Sequence, residues 1–174
     1  MDADNRPDQL DSPVVATLIK WGSRANTRLY QATGGRLGKT WRVGAAMRKP
    51  VEVCLLTSTG RKSGQPRTVP LLFLRDDERV VVVASQGGLP KNPAWYHNVV
   101  ANPQVTIQIG SQKLDLHARE ADDAERDRLW PRLVELYADF DTYSAWTDRR
   151  IPVIICEPAA RGADDLVERD ADTP

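Results

Sequence analysis

Short apolar runs, separated by turns too brief to hold a crossover, limit this chain more than any other feature. From Val51 onward, Val51 to Thr57, Thr68 to Arg75 and Arg79 to Ser85 are rich in β-branched and apolar residues. Gly60, Gly64 and Asp76-Asp77 punctuate them. Strands laid parallel need a crossover of about a dozen residues or more, usually a helix, and these connections contain none. The strands are therefore expected to run antiparallel. Val105 to Ile109 and Lys113 to Ala121 form a hairpin around Gly110-Ser111, with Val105, Ile107 and Ile109, then Leu114, Leu116 and Ala118, apolar at every second position. Ile151 to Cys156 supplies a further buried strand, making at least six. With too few helices for alternating βαβ units, the expected class is mainly β (α+β), a closed or partly split antiparallel barrel with peripheral helices.

Helical signals surround these strands. Asn92 to Ala101 reads as a helix with Pro93 near its start. A second helix begins at Asp122-Asp123 and carries an apolar stripe of Leu129, Trp130, Leu133, Leu136 and Tyr137, with a bend expected at Pro131. Upstream, Ser12-Pro13 combines an N-cap with a first-turn proline. Val14, Val15, Leu18, Ile19, Gly22, Leu29 and Tyr30 then recur at helical spacing until Gly34-Gly35, with Lys20, Arg24 and Arg28 on the opposite face. The expected organisation is a disordered leader over 1–11, a basic amphipathic helix and linker over 12–50, a barrel over 51–158 and an acidic disordered tail over 159–174.

Charge and cysteine usage narrow the functional classes. The 24 basic and 24 acidic residues cancel, so the whole-chain balance gives no footprint for nucleic acid. The distribution is uneven: Lys20, Arg24, Arg28, Arg36, Lys39, Arg42, Arg48 and Lys49 lie between Ser12 and Pro50 with no acidic residue among them. Such a helix either covers a core or rests on an anionic membrane surface through residues 13–28. No apolar run approaches the roughly 20 residues needed to span a bilayer, and no signal-like segment opens the chain, so a cytoplasmic protein is expected, with peripheral contact at the inner face of the membrane as a variant. Cys54 and Cys156 each lie in an apolar run and read as buried small hydrophobes. His97 and His117 complete no metal-ligand spacing, so no metal is expected. No G-x-S-x-G elbow supports acyl transfer.

Three clusters carry chemistry. Thr57 to Arg67 joins two strands and crowds Arg61, Lys62 and Arg67 with four hydroxyls around Gly60 and Gly64. Glycines allow close approach of the backbone, free N–H groups in such turns form an anion nest, and Arg61 and Arg67 can fork onto phosphate or carboxylate oxygens. A solvated hairpin loop has the same spacing. Next, Ser85 to Asn98 runs from a strand end through Gly87-Gly88 into a helix start, with Trp95 and Tyr96 as flat apolar surfaces suited either to a ring system or to a core. Finally Trp130, Tyr137, Phe140, Tyr143 and Trp146 gather five of eleven aromatic residues in a helix-to-loop segment that suits a pocket wall or, again, a core.

The order of these motifs, TSTGRKSGQPRTVPLLFL, then ASQGGLPKNPAWYHNVVANPQV, then LWPRLVELYADFDTY and WTDRRIPVIICEP, resembles the deazaflavin (coenzyme F420)-dependent nitroreductase and quinone reductase family across about Val51 to Pro158. The resemblance implies a split β-barrel like that of the FMN-binding pyridoxamine oxidases, holding coenzyme F420 in place of FMN. It implies that Arg61, Lys62, Ser63 and Arg67 grip the coenzyme's phosphate and acidic tail, and that Thr68, Val69 and Pro70 line it. Ala84, Ser85 and Gln86 with Ala94, Trp95, Tyr96 and Asn98 would surround its ring. The acceptor would lie against Trp95, Tyr137, Phe140 and Tyr143, with Ser85, Tyr137 or Tyr143 assisting protonation. Many members carry lysine where this chain has Gln86, and tyrosine where it has Phe140, so the expectation leans toward quinones over nitro compounds, with enones also admissible. The alternatives are the same barrel loaded with FMN, and a carrier that binds a deazaflavin or lipid ligand without turnover. Whether the chain is a monomer or a dimer stays open.

Overall fold

The computed structural model describes residues 50–159 continuously, together with Thr27, Tyr30, Thr33, Gly34, Thr40, Trp41 and Ala46. The expected leader, tail and basic helix face at 13–28 lie outside the described residues, apart from Thr27, Tyr30 and Thr33, which are helical. The strands are β1 (Thr40–Trp41), β2 (Val51–Thr59), β3 (Pro66–Asp76), β4 (Arg79–Val83), β5 (Gln104–Ile109), β6 (Gln112–Glu120) and β7 (Val153–Glu157). The helices are α1 (Ala94–Ala101), α2 (Asp123–Leu136) and α3 (Asp139–Ala145). All strand pairs are antiparallel, in the order β1-β2-β3-β4-β7-β6-β5. Pairing of β2 with β5, from Leu55 opposite Gln108 to Ser58 opposite Val105, closes β2 to β7 into a six-strand barrel.

Period-two alternation divides the apolar residues between two cores. Cys54 and Leu56 on β2, Val80 and Val82 on β4, Val105 and Ile107 on β5, Leu116 and Ala118 on β6, and Ile154 and Cys156 on β7 fill the interior. The intervening Val81, Val83, Val153 and Ile155 face outward and meet Leu129 and Leu133 of α2 with Tyr137 and Phe140 beyond it. β4 and β7 are thus buried on both faces, which is why they read as unbroken apolar runs. Elsewhere Tyr30 packs on Val53 and Leu55; its hydroxyl donates to Val53 O at 3.2 Å and accepts from Gly110 N at 2.8 Å. Both thiols are buried, and loss of hydration raises their pKa values, that of Cys156 to about 12.

Charged side chains fasten α2 to the barrel. Asp122 forms a capping box with Glu125. Glu125 also pairs with Arg119 of β6 at 2.6 Å, and the same guanidinium reaches Glu157 of β7 at 2.7 Å. Nearby, linked to Glu125 through Arg79, the buried Asp76 accepts from Arg128, Arg132 and Arg79, which hold its carboxyl well below the usual range. The helix continues through Pro131 as one element. Three sequence expectations are corrected. β4 stops at Val83, because Pro152 opposite Ala84 has no N–H to return and Ser85 turns into a helical conformation; α1 starts at Ala94, after Pro93; and the aromatic segment expected to run into a loop forms a separate helix, α3.

Arg119 lowers the Glu125 pKa from 4.5 to about 2. A depressed carboxylate contributes stability that is present above its unfolded pKa and lost as pH falls through the folded one. Urea unfolding midpoints should therefore fall more steeply for the natural protein than for Glu125→Gln as pH drops from about 4.5 toward 2, and parallel curves would refute the linkage. In the outer core, Ile155→Ala should cost about 2–5 kcal/mol in the same assay at neutral pH.

Candidate functional site along the open edge of β3

β3 is 11 residues long and β4 only five. β4 pairs with β3 from Phe73 to Asp76, whereas β2 pairs with it from Pro66 to Leu72. Among the described residues no strand covers the second edge of Pro66 to Leu72. Seven extended residues make an open edge of about 20 Å. A bare edge invites pairing with other chains, and Pro70, which lacks an N–H to offer, is a residue suited to edges. Continuing the β3–β4 register would set Ala84 opposite Leu71 and Ser85 opposite Pro70; instead the chain turns out there and opens the split. Val69, Pro70, Leu71 and Leu72 are all half-buried, with Val69 and Leu71 packed on the inner core and Leu72 on the opposite face.

The basic loop closes one end of this edge. Gly60 N donates to Gln65 O at 2.9 Å, Gly64 N donates to Gly60 O at 2.7 Å, and Gly64 adopts φ +65. A side chain at position 60 would place its Cβ 2.8 Å from Ser63 Oγ. Arg61, Lys62, Ser63 and Arg67 are exposed, and among the described residues none of the three cations has a carboxylate partner. Asn98 on α1 anchors the loop by accepting from Arg61 N at 3.1 Å. The adjoining Thr68 hydroxyl is spent on Thr57, 2.9 Å away. On the same helix Ala94 is exposed and Trp95 is buried in the inner core. Tyr96 donates to Glu120 at 2.8 Å, and burial together with that carboxylate raises its pKa to about 12.

At the other end, Ala84 is buried, Ser85 half-buried and Gln86 exposed. Gln86, Gly87 and Gly88 take φ of +48, +63 and +73, so Gln86 occupies a left-handed conformation that costs a side-chain-bearing residue about 1–2 kcal/mol. Gly88 is squeezed against α3: a Cβ there would lie 2.9 Å from Tyr143 O and 3.1 Å from Trp146 Cβ. The structure thereby brings Tyr143 and Trp146 to the Gln86 turn. Tyr137 and Phe140, 3% and 4% exposed, lie instead in the outer core, while Trp95 lies in the inner one, so the aromatic residues line different faces of the sheet. The Tyr137 and Tyr143 hydroxyls are 3.2 Å apart, and burial raises both pKa values, keeping these phenols protonated. Sequence reading missed Arg149, which donates four hydrogen bonds into the turn between Ala84 and Asn92. Its only signal was a place in the WTDRRIP motif, next to an arginine that faces solvent.

A closed six-strand antiparallel barrel, split along one strand with a basic loop at the end of the split, defines a split β-barrel protein. The profile of the F420H(2)-dependent quinone reductases matches residues 21–158, and the chain belongs to that family of oxidoreductases. An F420H(2)-dependent quinone reductase of Mycobacterium tuberculosis is 38% identical over 135 residues, 76% of this chain and 87% of that protein. A second protein of that organism, given the same functional name, is 50% identical over 117 residues, 67% of this chain and 98% of its own. Among solved structures, an F420-H2-dependent reductase, FDR-A, is 46% identical with a TM-score of 0.57, covering 60% of this chain and 93% of that one. A structure described as a domain-swapped dimer is 37% identical with a TM-score of 0.59, covering 84% of this chain and 100% of that one.

The squeeze at Gly88 is testable. Gly88→Ala meets both the positive φ and the α3 backbone, whereas Gly87→Ala meets only the φ, with nothing within 4 Å. By urea unfolding, Gly88→Ala should lose about 1–3 kcal/mol and more than Gly87→Ala; equal losses would show that α3 does not press on the turn.

Proposed function

We propose that the chain lays reduced coenzyme F420 along the open edge of β3 and delivers two electrons to a quinone. The observation that carries this reading is the edge itself, bounded at one end by three cations that have no carboxylate partner among the described residues and at the other by the Ala84–Gln86 turn. The residues fit a ligand with an anionic tail and a flat head: Arg61, Lys62, Ser63 and Arg67 would hold the phosphate and carboxylates. Thr68, Val69 and Pro70 would lie along the body, and Ala84, Ser85 and Gln86 would meet the ring from one side. Ala94, Trp95, Tyr96 and Asn98 would act from α1. When bound, the reduced deazaflavin supplies a hydride, and with one proton the quinone becomes a hydroquinone.

The chain's own contribution is placement and exclusion of water. Ser85, at the split, is placed to donate a hydrogen bond toward an acceptor oxygen. Tyr143, beside Gly88, stays protonated to pH values well above neutrality and serves as a second donor, with Tyr137 bonded behind it. Tyr137 and Phe140 support this corner from the outer core rather than by stacking on the acceptor. Enones and nitroaromatic compounds are secondary acceptors in this reading. The basic loop alone would serve the phosphate of FMN equally well, and the family membership favours F420.

Mixing the protein with reduced F420 and menadione should oxidise the coenzyme, followed by its recovered absorbance; no turnover with quinone, enone or nitro acceptors despite tight binding would favour a carrier instead. Tryptophan quenching should show F420 binding more tightly than FMN, and the reverse order would overturn the cofactor assignment. Arg67→Ala should weaken F420 at least about tenfold, as expected for loss of a charge-assisted hydrogen bond.

A further inference from the structure

Arg149 lies just beyond α3 and reaches back under the turn that ends β4. Its Nη2 donates to Ala84 O at 3.1 Å and to Ser85 O at 2.7 Å, Nε donates to Leu89 O at 2.8 Å, and Nη1 donates to Asn92 Oδ1 at 2.7 Å. One guanidinium therefore ties together four residues on both sides of the Gln86–Gly88 turn. Inside the turn the backbone holds itself by only two short-range bonds, Gly88 N to Ser85 O at 3.0 Å and Leu89 N to Gln86 O at 3.3 Å. Three consecutive left-handed residues, one of them glutamine, are not maintained by bonds of that quality alone; surrounding contacts must over-determine them.

Charge makes the arrangement specific. Among the described residues no carboxylate pairs with Arg149, and each of its four hydrogen bonds goes to a neutral oxygen. The neighbouring Arg150 behaves differently, exposed and paired with Asp123 at 2.5 Å. A planar fork with donors in fixed directions can reach carbonyls at Ala84, Ser85 and Leu89 at once; an ammonium on a flexible stem cannot.

We propose that Arg149 is a positioning residue, which holds the Ala84–Asn92 turn in the shape that presents Ser85 and Gln86 to the reacting end of the β3 groove. This rests on the reading of the groove as the site of hydride transfer. Arg149 acts at the end opposite the basic loop, so its loss changes the placement of the reacting groups more than the grip on an anionic tail. A displacement of about 1 Å at reacting atoms is worth about a hundredfold in rate.

The test compares Arg149→Lys, Arg149→Met and the milder Asn92→Ala with Arg150→Lys as a control. Hydrogen exchange on the protein without coenzyme should show the Gly88 and Leu89 amides of both Arg149 variants exchanging at least about tenfold faster, with the β5–β6 hairpin unchanged. Asn92→Ala should show a smaller rise at the same amides, and Arg150→Lys none. With menadione, kcat should fall about tenfold to a hundredfold in both Arg149 variants while F420 affinity by tryptophan quenching stays within about threefold, the opposite of the Arg67→Ala pattern. Exchange that is unchanged, or raised equally across the barrel, would overturn the proposal, as would full activity restored by lysine. If the natural protein itself turns over no acceptor, the reading of the groove fails, and the exchange experiment still decides whether Arg149 sets the turn.

Discussion

Closure of a barrel requires every strand to pair along both edges, and β3 exceeds its neighbour β4 by six residues. That mismatch leaves one stretch of backbone from Pro66 to Leu72 with a single partner strand among the described residues. The candidate site surrounds this stretch. The β2–β3 connection becomes the basic loop at its start, the exit of β4 becomes the turn at its end, and α1 anchors the loop through Asn98. The split is a consequence of strand length.

Rigidity comes from burying strands twice. β4 and β7 give alternate residues to the interior and to the helical layer, so their position is fixed from both sides. The charged ties of Glu125 to Arg119, and of Asp76 to three arginines, locate α2 over the outer core. Through Tyr143 and Trp146 this layer presses on Gly88. The aromatic cluster therefore buttresses the Gln86–Gly88 turn from the outer layer, and Arg149 ties the same turn through four hydrogen bonds.

The amount legible in the sequence follows from the range of the interactions involved. Six barrel strands could be read because period two, turn glycines and short connections are local signals. The basic loop was visible for the same reason: Arg61, Lys62 and Arg67 lie within seven positions. The end of β4 was misplaced because Ala84 and Ser85 are as compatible with a strand as Val83; what ends the ladder is Pro152, which stands opposite Ala84 in the β4–β7 register and accepts from Ala84 N at 2.9 Å but has no N–H to return. The separation of Trp95 from Tyr137 and Phe140 was illegible too, since aromatic residues look the same whichever face of a sheet they cover.

By itself the sequence determined the antiparallel class, the number of long strands and the place of an anion-seeking loop, and its motif order pointed to the family. These depend on residues close in sequence, where backbone geometry and side-chain chemistry leave few options. Only the tertiary structure decided that β3 keeps an open edge and that Gln86 is held left-handed. Of two adjacent arginines, it decided that Arg149 turns inward and Arg150 outward. Each of those outcomes depends on which distant backbone groups come within hydrogen-bond reach, a matter settled by closure of the barrel and not by any local pattern.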